Sequence, residues 1–177
     1  VVHGGREAVA ALCEHPGVRS ISFVGSTAVA KQVYEAGTRN GKRVQAAGGA
    51  KNVLLVMPDA DLDSTLRAIM GAAFGCAGQR CLAVSFAVTV AEARNTFTEL
   101  ICDAASTRVV GYGLDAGVQM GPVINAASKA RVESLIGLGV QEGASLPVDG
   151  RGTSIQGYEN GNFVRPTILA DVRRGSE

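Results

Sequence analysis

The sequence predicts an α/β fold, and three observations carry that reading. Short apolar strands alternate with amphipathic helices over the first hundred residues, tight glycine turns separate them, and the last third breaks into brief strand and turn pieces. At 177 residues the chain can bury one real core and is marginal for two. Its 23 glycines imply many tight turns or close backbone approaches. A composition of 46% hydrophobic and 19% charged residues excludes a disordered chain. With 17 Lys and Arg against 16 Asp and Glu there is no broad field to hold a nucleic acid or an anionic membrane, so neither partner is expected. The best apolar stretch, LAVSFAVTVA, is too short to span a bilayer, and the first residues lack a signal-peptide pattern. The expected setting is cytoplasmic.

The elements follow in order. Ala8, Val9, Leu12 and Cys13 repeat at helical spacing until Pro16 and Gly17 stop the helix. A strand is expected at 20–24, then a glycine turn and a helix capped by Ser26, running through Ala36 and stopped by Gly37. Residues 42–56 read as two strands around AAGGAKN, closed by Pro58. Asp61 caps the next helix, whose apolar side holds Leu62, Leu66, Ile69, Met70 and Ala73 and which Gly75 and Gly78 end. A strand over 82–90 and a helix over 93–106 follow. The connector 109–125 is glycine-rich and ordered, and 126–138 is helical. From Gly139 the chain reads as short strands, SLPVD and FVRPTIL among them, with Asn160–Asn162 in a hairpin connection. These last strands need not join the same parallel sheet.

Four segments carry residues suited to chemistry. In FVGS, Gly25 and Ser26 sit where a strand passes into a helix, a place that either receives a pyrophosphate on free backbone donors or is an ordinary capped turn. In AGQRC, Cys81 follows a glycine-bracketed turn beside Arg80, which suits either an accessible nucleophile or an inert core thiol. In GGAKN, Lys51 suits an anion or solvent, and Asn52 either donates its amide or steadies a turn. GYENGNFVRPT is turn-rich and chemically silent. Cys13, Cys76 and Cys102 read as structural, free thiols being expected throughout, and His3 and His15 as surface or capping groups. The cysteines and histidines lack zinc-type spacing, so no metal is expected.

Together SFVGSTAVAK, KRVQAAGGAKN, GAAFGCAGQRC, VQMGPVI and GYENGNFVRPTIL occur in the order and spacing of the aldehyde dehydrogenase superfamily, which the chain resembles over nearly its whole length. RVQ with GAKN, GQRC and GYENGNFV resemble the methylmalonate-semialdehyde dehydrogenase branch. The resemblance implies an aldehyde dehydrogenase-like α/β fold, with residues 1–46 as the end of a Rossmann-like NAD-binding domain and 47–177 as an incomplete catalytic domain. It implies NAD as cofactor, coenzyme A as co-substrate, a small carboxylated semialdehyde as substrate, a homo-oligomeric parent enzyme and a place in valine catabolism.

Residue by residue, Cys81 matches the nucleophile that attacks the aldehyde, Arg80 an arginine that recognises the substrate carboxylate, and Gly25 and Ser26 the turn under the cofactor pyrophosphate. Ala47 stands where most of the superfamily has the glutamate that activates a deacylating water, which implies acyl transfer to coenzyme A in place of hydrolysis. Gly48 departs from the larger residue usual in the branch. The resemblance also implies an upstream cofactor half with an oxyanion asparagine and a downstream EEIFGP-like segment, neither found between Val1 and Glu177; Glu177 itself takes no such role. The chain alone is therefore expected to turn over little. The alternative is an inactive aldehyde dehydrogenase-like binding or assembly module.

Overall fold

In the computed structural model, which describes residues 1–176, the chain packs as two units that meet in sequence at Ala50 and Lys51. β2 ends at Ala47, and Gly48, Gly49 and Ala50 continue with the first unit.

The first unit is α1 (Arg6–Glu14), β1 (Ser20–Val24), α2 (Thr27–Arg39) and β2 (Arg43–Ala47), with β1 and β2 paired in parallel across the helix. Strand residues alternate, so Ile21, Phe23, Val44 and Ala46 are half-buried while their neighbours face outward. Gly37 does not stop α2. It is buried inside the helix, where a β-carbon would lie 2.6 Å from Cγ2 of Val44, so its role is close packing on β2. The helix ends at Asn40, whose side-chain amide donates to the Ala36 carbonyl at 2.9 Å, and Gly41 turns the chain at φ +69°. Buried Lys42 then donates from Nζ to the carbonyls of His15 (2.6 Å) and Val18 (2.8 Å), holding the α1–β1 connection.

The second unit opens with another parallel strand–helix–strand unit: β3 (Asn52–Val56), α3 (Leu62–Phe74) and β4 (Val84–Thr89). Asp61 caps α3, its Oδ1 accepting from the Ser64 N–H at 2.7 Å, and these hydrogen bonds hold its carboxyl below the ordinary range. After α4 (Ala93–Ser106) comes the connector 109–125, then α5 (Ala126–Gln141), three residues longer than expected. β5 (Ser145–Val148) and β6 (Ile168–Ala170) form a separate antiparallel pair. Residues 149–167 lie between them, so Asn160–Asn162 is a turn inside a long loop and not a hairpin connection; the Asn162 carbonyl accepts from Val123 N–H at 2.9 Å and tethers the connector.

The main core brings Val56 of β3, Ile69 and Met70 of α3, Phe97, Ile101 and Ala105 of α4 and Val148 of β5 together. A smaller cluster of Val110, Met120 and Phe163 closes the connector, with Phe74 and Ala77 packed against it. Phe74, the last residue of α3, packs against both clusters.

Candidate active site

The loop after α3 owes its shape to three consecutive left-handed residues. Cys76 (φ +51°), Ala77 (φ +52°) and Gly78 (φ +73°) turn the chain sharply, and for the two non-glycine residues that conformation is strained. Burial of Ala77 against the Phe163 cluster offsets the cost. The corner is then tied down at each following residue. Gln79 donates from Nε2 to the Cys76 carbonyl at 3.2 Å, while its Oε1 accepts from the Ile124 N–H at 3.0 Å. Arg80 folds back on the end of α3, donating from Nη2 to Gly71 O (2.7 Å) and from Nε to Gly75 O (3.2 Å). Glycine at position 75 leaves room for this pose, because a β-carbon there would displace the Arg80 guanidinium.

Cys81 follows, with its side chain exposed. Its carbonyl accepts from Nδ2 of Asn52 at 2.9 Å, and the same amide reaches the carbonyl of buried Ala83 at 2.8 Å. The strand expected from Leu82 begins only at Val84, since Ala83 N–H closes a turn onto Arg80 O at 3.0 Å. Of the sequence candidates, Arg80, Cys81 and Asn52 therefore share one loop system.

Charge around the loop is positive. The Arg108 guanidinium is held below its ordinary range, first by burial and second by the charge of Arg80, and its Nε is buried without a hydrogen-bond partner. Arg80 spends Nε and Nη2 on the end of α3, and its Nη1 makes no hydrogen bond among the described residues. The other thiols divide. Cys13 is buried, and burial pushes the half-buried Cys102 thiol up, as suits a structural role. Cys76, expected to be structural, is exposed in the left-handed corner that follows α3. Lys51 is exposed, and among the described residues no cluster of His, Cys, Asp or Glu is arranged to hold a metal.

In the first unit, Gly25 and Ser26 form the expected strand-to-helix turn. The Gly25 N–H is already committed to Ala47 O at 3.1 Å, so it is not a free donor as FVGS implied. Ser26 Oγ accepts from Val29 N–H at 3.4 Å, leaving the Thr27 and Ala28 N–H groups without an acceptor inside the helix. A β-carbon at Gly25 would meet the Phe23 ring, so glycine keeps the turn open. Gly48 packs on Thr27, whose Oγ1 would lie 2.8 Å from a β-carbon there and accepts from Gly49 N–H at 3.2 Å. This contact explains the missing larger side chain.

The aldehyde dehydrogenase family profile matches residues 1–177. The chain belongs to the aldehyde dehydrogenase family. A methylmalonate-semialdehyde/malonate-semialdehyde dehydrogenase [acylating], mitochondrial, of Rattus norvegicus is 50% identical over 173 residues, 98% of this chain and 32% of that protein. A malonate-semialdehyde dehydrogenase of Pseudomonas aeruginosa is 49% identical over 97% of this chain and 35% of its own length. Among solved structures, a Sinorhizobium meliloti protein described as a methylmalonate-semialdehyde dehydrogenase and complexed with NAD superposes with a TM-score of 0.95 at 43% identity, covering 99% of this chain and 36% of that one. This aldehyde dehydrogenase chain thus spans about a third of the length of such relatives. Its α/β architecture is theirs, and no helix among the described residues is long and apolar enough to cross a membrane.

Proposed function

We propose that the chain contributes the nucleophile, the substrate-carboxylate anchor and the pyrophosphate turn of an NAD-dependent dehydrogenase that converts malonate or methylmalonate semialdehyde into an acyl-coenzyme A. The observation that carries this reading is the exposed Cys81 thiol on a loop fixed at both sides, next to an arginine whose Nη1 is unspent. Cys81 as thiolate attacks the aldehyde carbon, forming a C–S bond and an alkoxide that the Cys81 backbone N–H stabilises. NAD, when bound, accepts the hydride. The Thr27 and Ala28 N–H groups suit its pyrophosphate, with Gly25 leaving room and Ser26 fixing the helix start. Loss of the hydride leaves a thioester on Cys81.

By resemblance Ala47 stands where most of the family has a water-activating glutamate, and its methyl group cannot take a proton from water. The coenzyme A thiol, giving its proton to solvent, attacks the thioester carbonyl instead, the bond to Cys81 breaks, and the Cys81 thiolate is restored. Arg80 holds the substrate carboxylate, and the nearby Arg108 charge favours an anion there. A homo-oligomer is part of the same proposal. The cytoplasmic setting expected above stands as a proposal only, and the rat relative is named as mitochondrial. The test uses a protein completed to the length of the relatives, given malonate semialdehyde and NAD. NADH is expected to form over many turnovers only with coenzyme A present, with one acyl-coenzyme A per NADH. Sustained turnover to the free acid without coenzyme A would contradict the acyl-transfer reading.

A further inference from the structure

Asn52 begins β3, where the parallel register with β4 breaks: Asn52 pairs with Val84, but Val53 already pairs with Phe86. The extra residue disrupts the ladder at the first step of the sheet, as a bulge does. There the Asn52 amide takes over the ladder's work, its two N–H groups reaching the carbonyls of Cys81 (2.9 Å) and Ala83 (2.8 Å), residues that no strand holds. An amide has two donors on one nitrogen, so this residue type satisfies both carbonyls at once. Ala83 is buried, so its carbonyl has little access to water as a substitute.

We infer that Asn52 is a positioning residue for the nucleophile: it fixes the Cys81–Ala83 backbone against the first strand of the second unit and so sets where the Cys81 thiol and N–H stand. Arg80 and Gln79 anchor the loop on its upstream side to α3 and the connector; Asn52 anchors its downstream side, and it alone among these three bonds to Cys81 itself. The inference rests on Cys81 as the reacting group, but the clamp is a property of the backbone and is read without turnover.

The experiment compares Asn52→Ala and Asn52→Asp with the original chain by hydrogen exchange and by iodoacetamide labelling. Asp keeps the shape and loses both donors. In both variants the Ala83 amide, bonded to Arg80 O, is expected to exchange about tenfold faster, a change of about 1.4 kcal/mol, while amides inside α3 and α4 keep their rates. The ratio of Cys81 to Cys76 labelling is expected to shift at least threefold, with Cys76 as the exposed control and Cys13 still protected. Original-like exchange and labelling in Asn52→Asp would reduce Asn52 to a space-filling residue and overturn the inference. Equal acceleration across α3 and α4, with Cys13 labelled, would also overturn it by making the role one of general stability. If the clamp passes while a completed enzyme forms no acyl product, the function reading fails and the clamp stands.

Discussion

Phe97→Ala is expected to destabilise the second unit by about 3–5 kcal/mol, the range for emptying a buried aromatic position. Phe97 is 2% exposed at the centre of the main core, among Val56, Ile69, Met70 and Ile101. These neighbours belong to β3, α3 and α4, elements fixed at both ends by their own connections, so they cannot collapse into the space. Denaturant unfolding reads the loss as a lower midpoint with an unchanged slope. A loss below about 1 kcal/mol would mean that the core repacks freely. The same substitution bears on chemistry, because α3 carries the Cys81 loop at its C-terminal end and loosens with its core.

Arg80→Leu, in a protein of full relative length, is expected to lower kcat/KM for malonate semialdehyde about 10- to 100-fold more than for an apolar aldehyde of similar size. The range corresponds to losing one or two hydrogen bonds to a charged group, each about 1.5–3 kcal/mol, discounted for solvent at an exposed site. Arg80 is already held by the Gly71 and Gly75 carbonyls, so binding a carboxylate at Nη1 costs little further side-chain entropy. The substitution also strips donors from the end of α3, which lowers both rates together; only the ratio isolates carboxylate recognition. Equal fractional losses would make Arg80 an anchor of the helix end and nothing more. Arg80→Lys keeps the charge without the fork and should fall between the two.

Much of this arrangement is legible in the sequence, and the exceptions share a cause. Ser26, Asp61 and the 93–106 helix stand where spacing and capping chemistry put them, because those signals are local. Gly37 misled because a glycine late in a helix reads as a stop, whereas here it makes room for Val44, a contact seven residues away across a turn. Cys76 misled because a cysteine at a helix end in an apolar chain reads as structural, whereas the left-handed reversal at 76–78 leaves it exposed. The anchoring of Arg80 on α3 carried no sequence signal beyond the glycines that permit it. Asn52 was visible as a residue able to donate, but its partners lie 29 and 31 residues away and depend on the register break with β4.

In the proposed reaction Cys81 carries the acyl group, and the sequence offers a direct way to see it. Trypsin cleaves after Arg80, so the two exposed thiols, Cys76 and Cys81, fall on different peptides. A protein of full relative length is mixed with NAD and malonate semialdehyde without coenzyme A, quenched in acid, digested and weighed. The expected result is an acyl mass on the peptide beginning at Cys81, up to one per chain, that disappears when coenzyme A is added before the quench. An acyl group on the Cys76 peptide, with Cys81 unmodified, would contradict it.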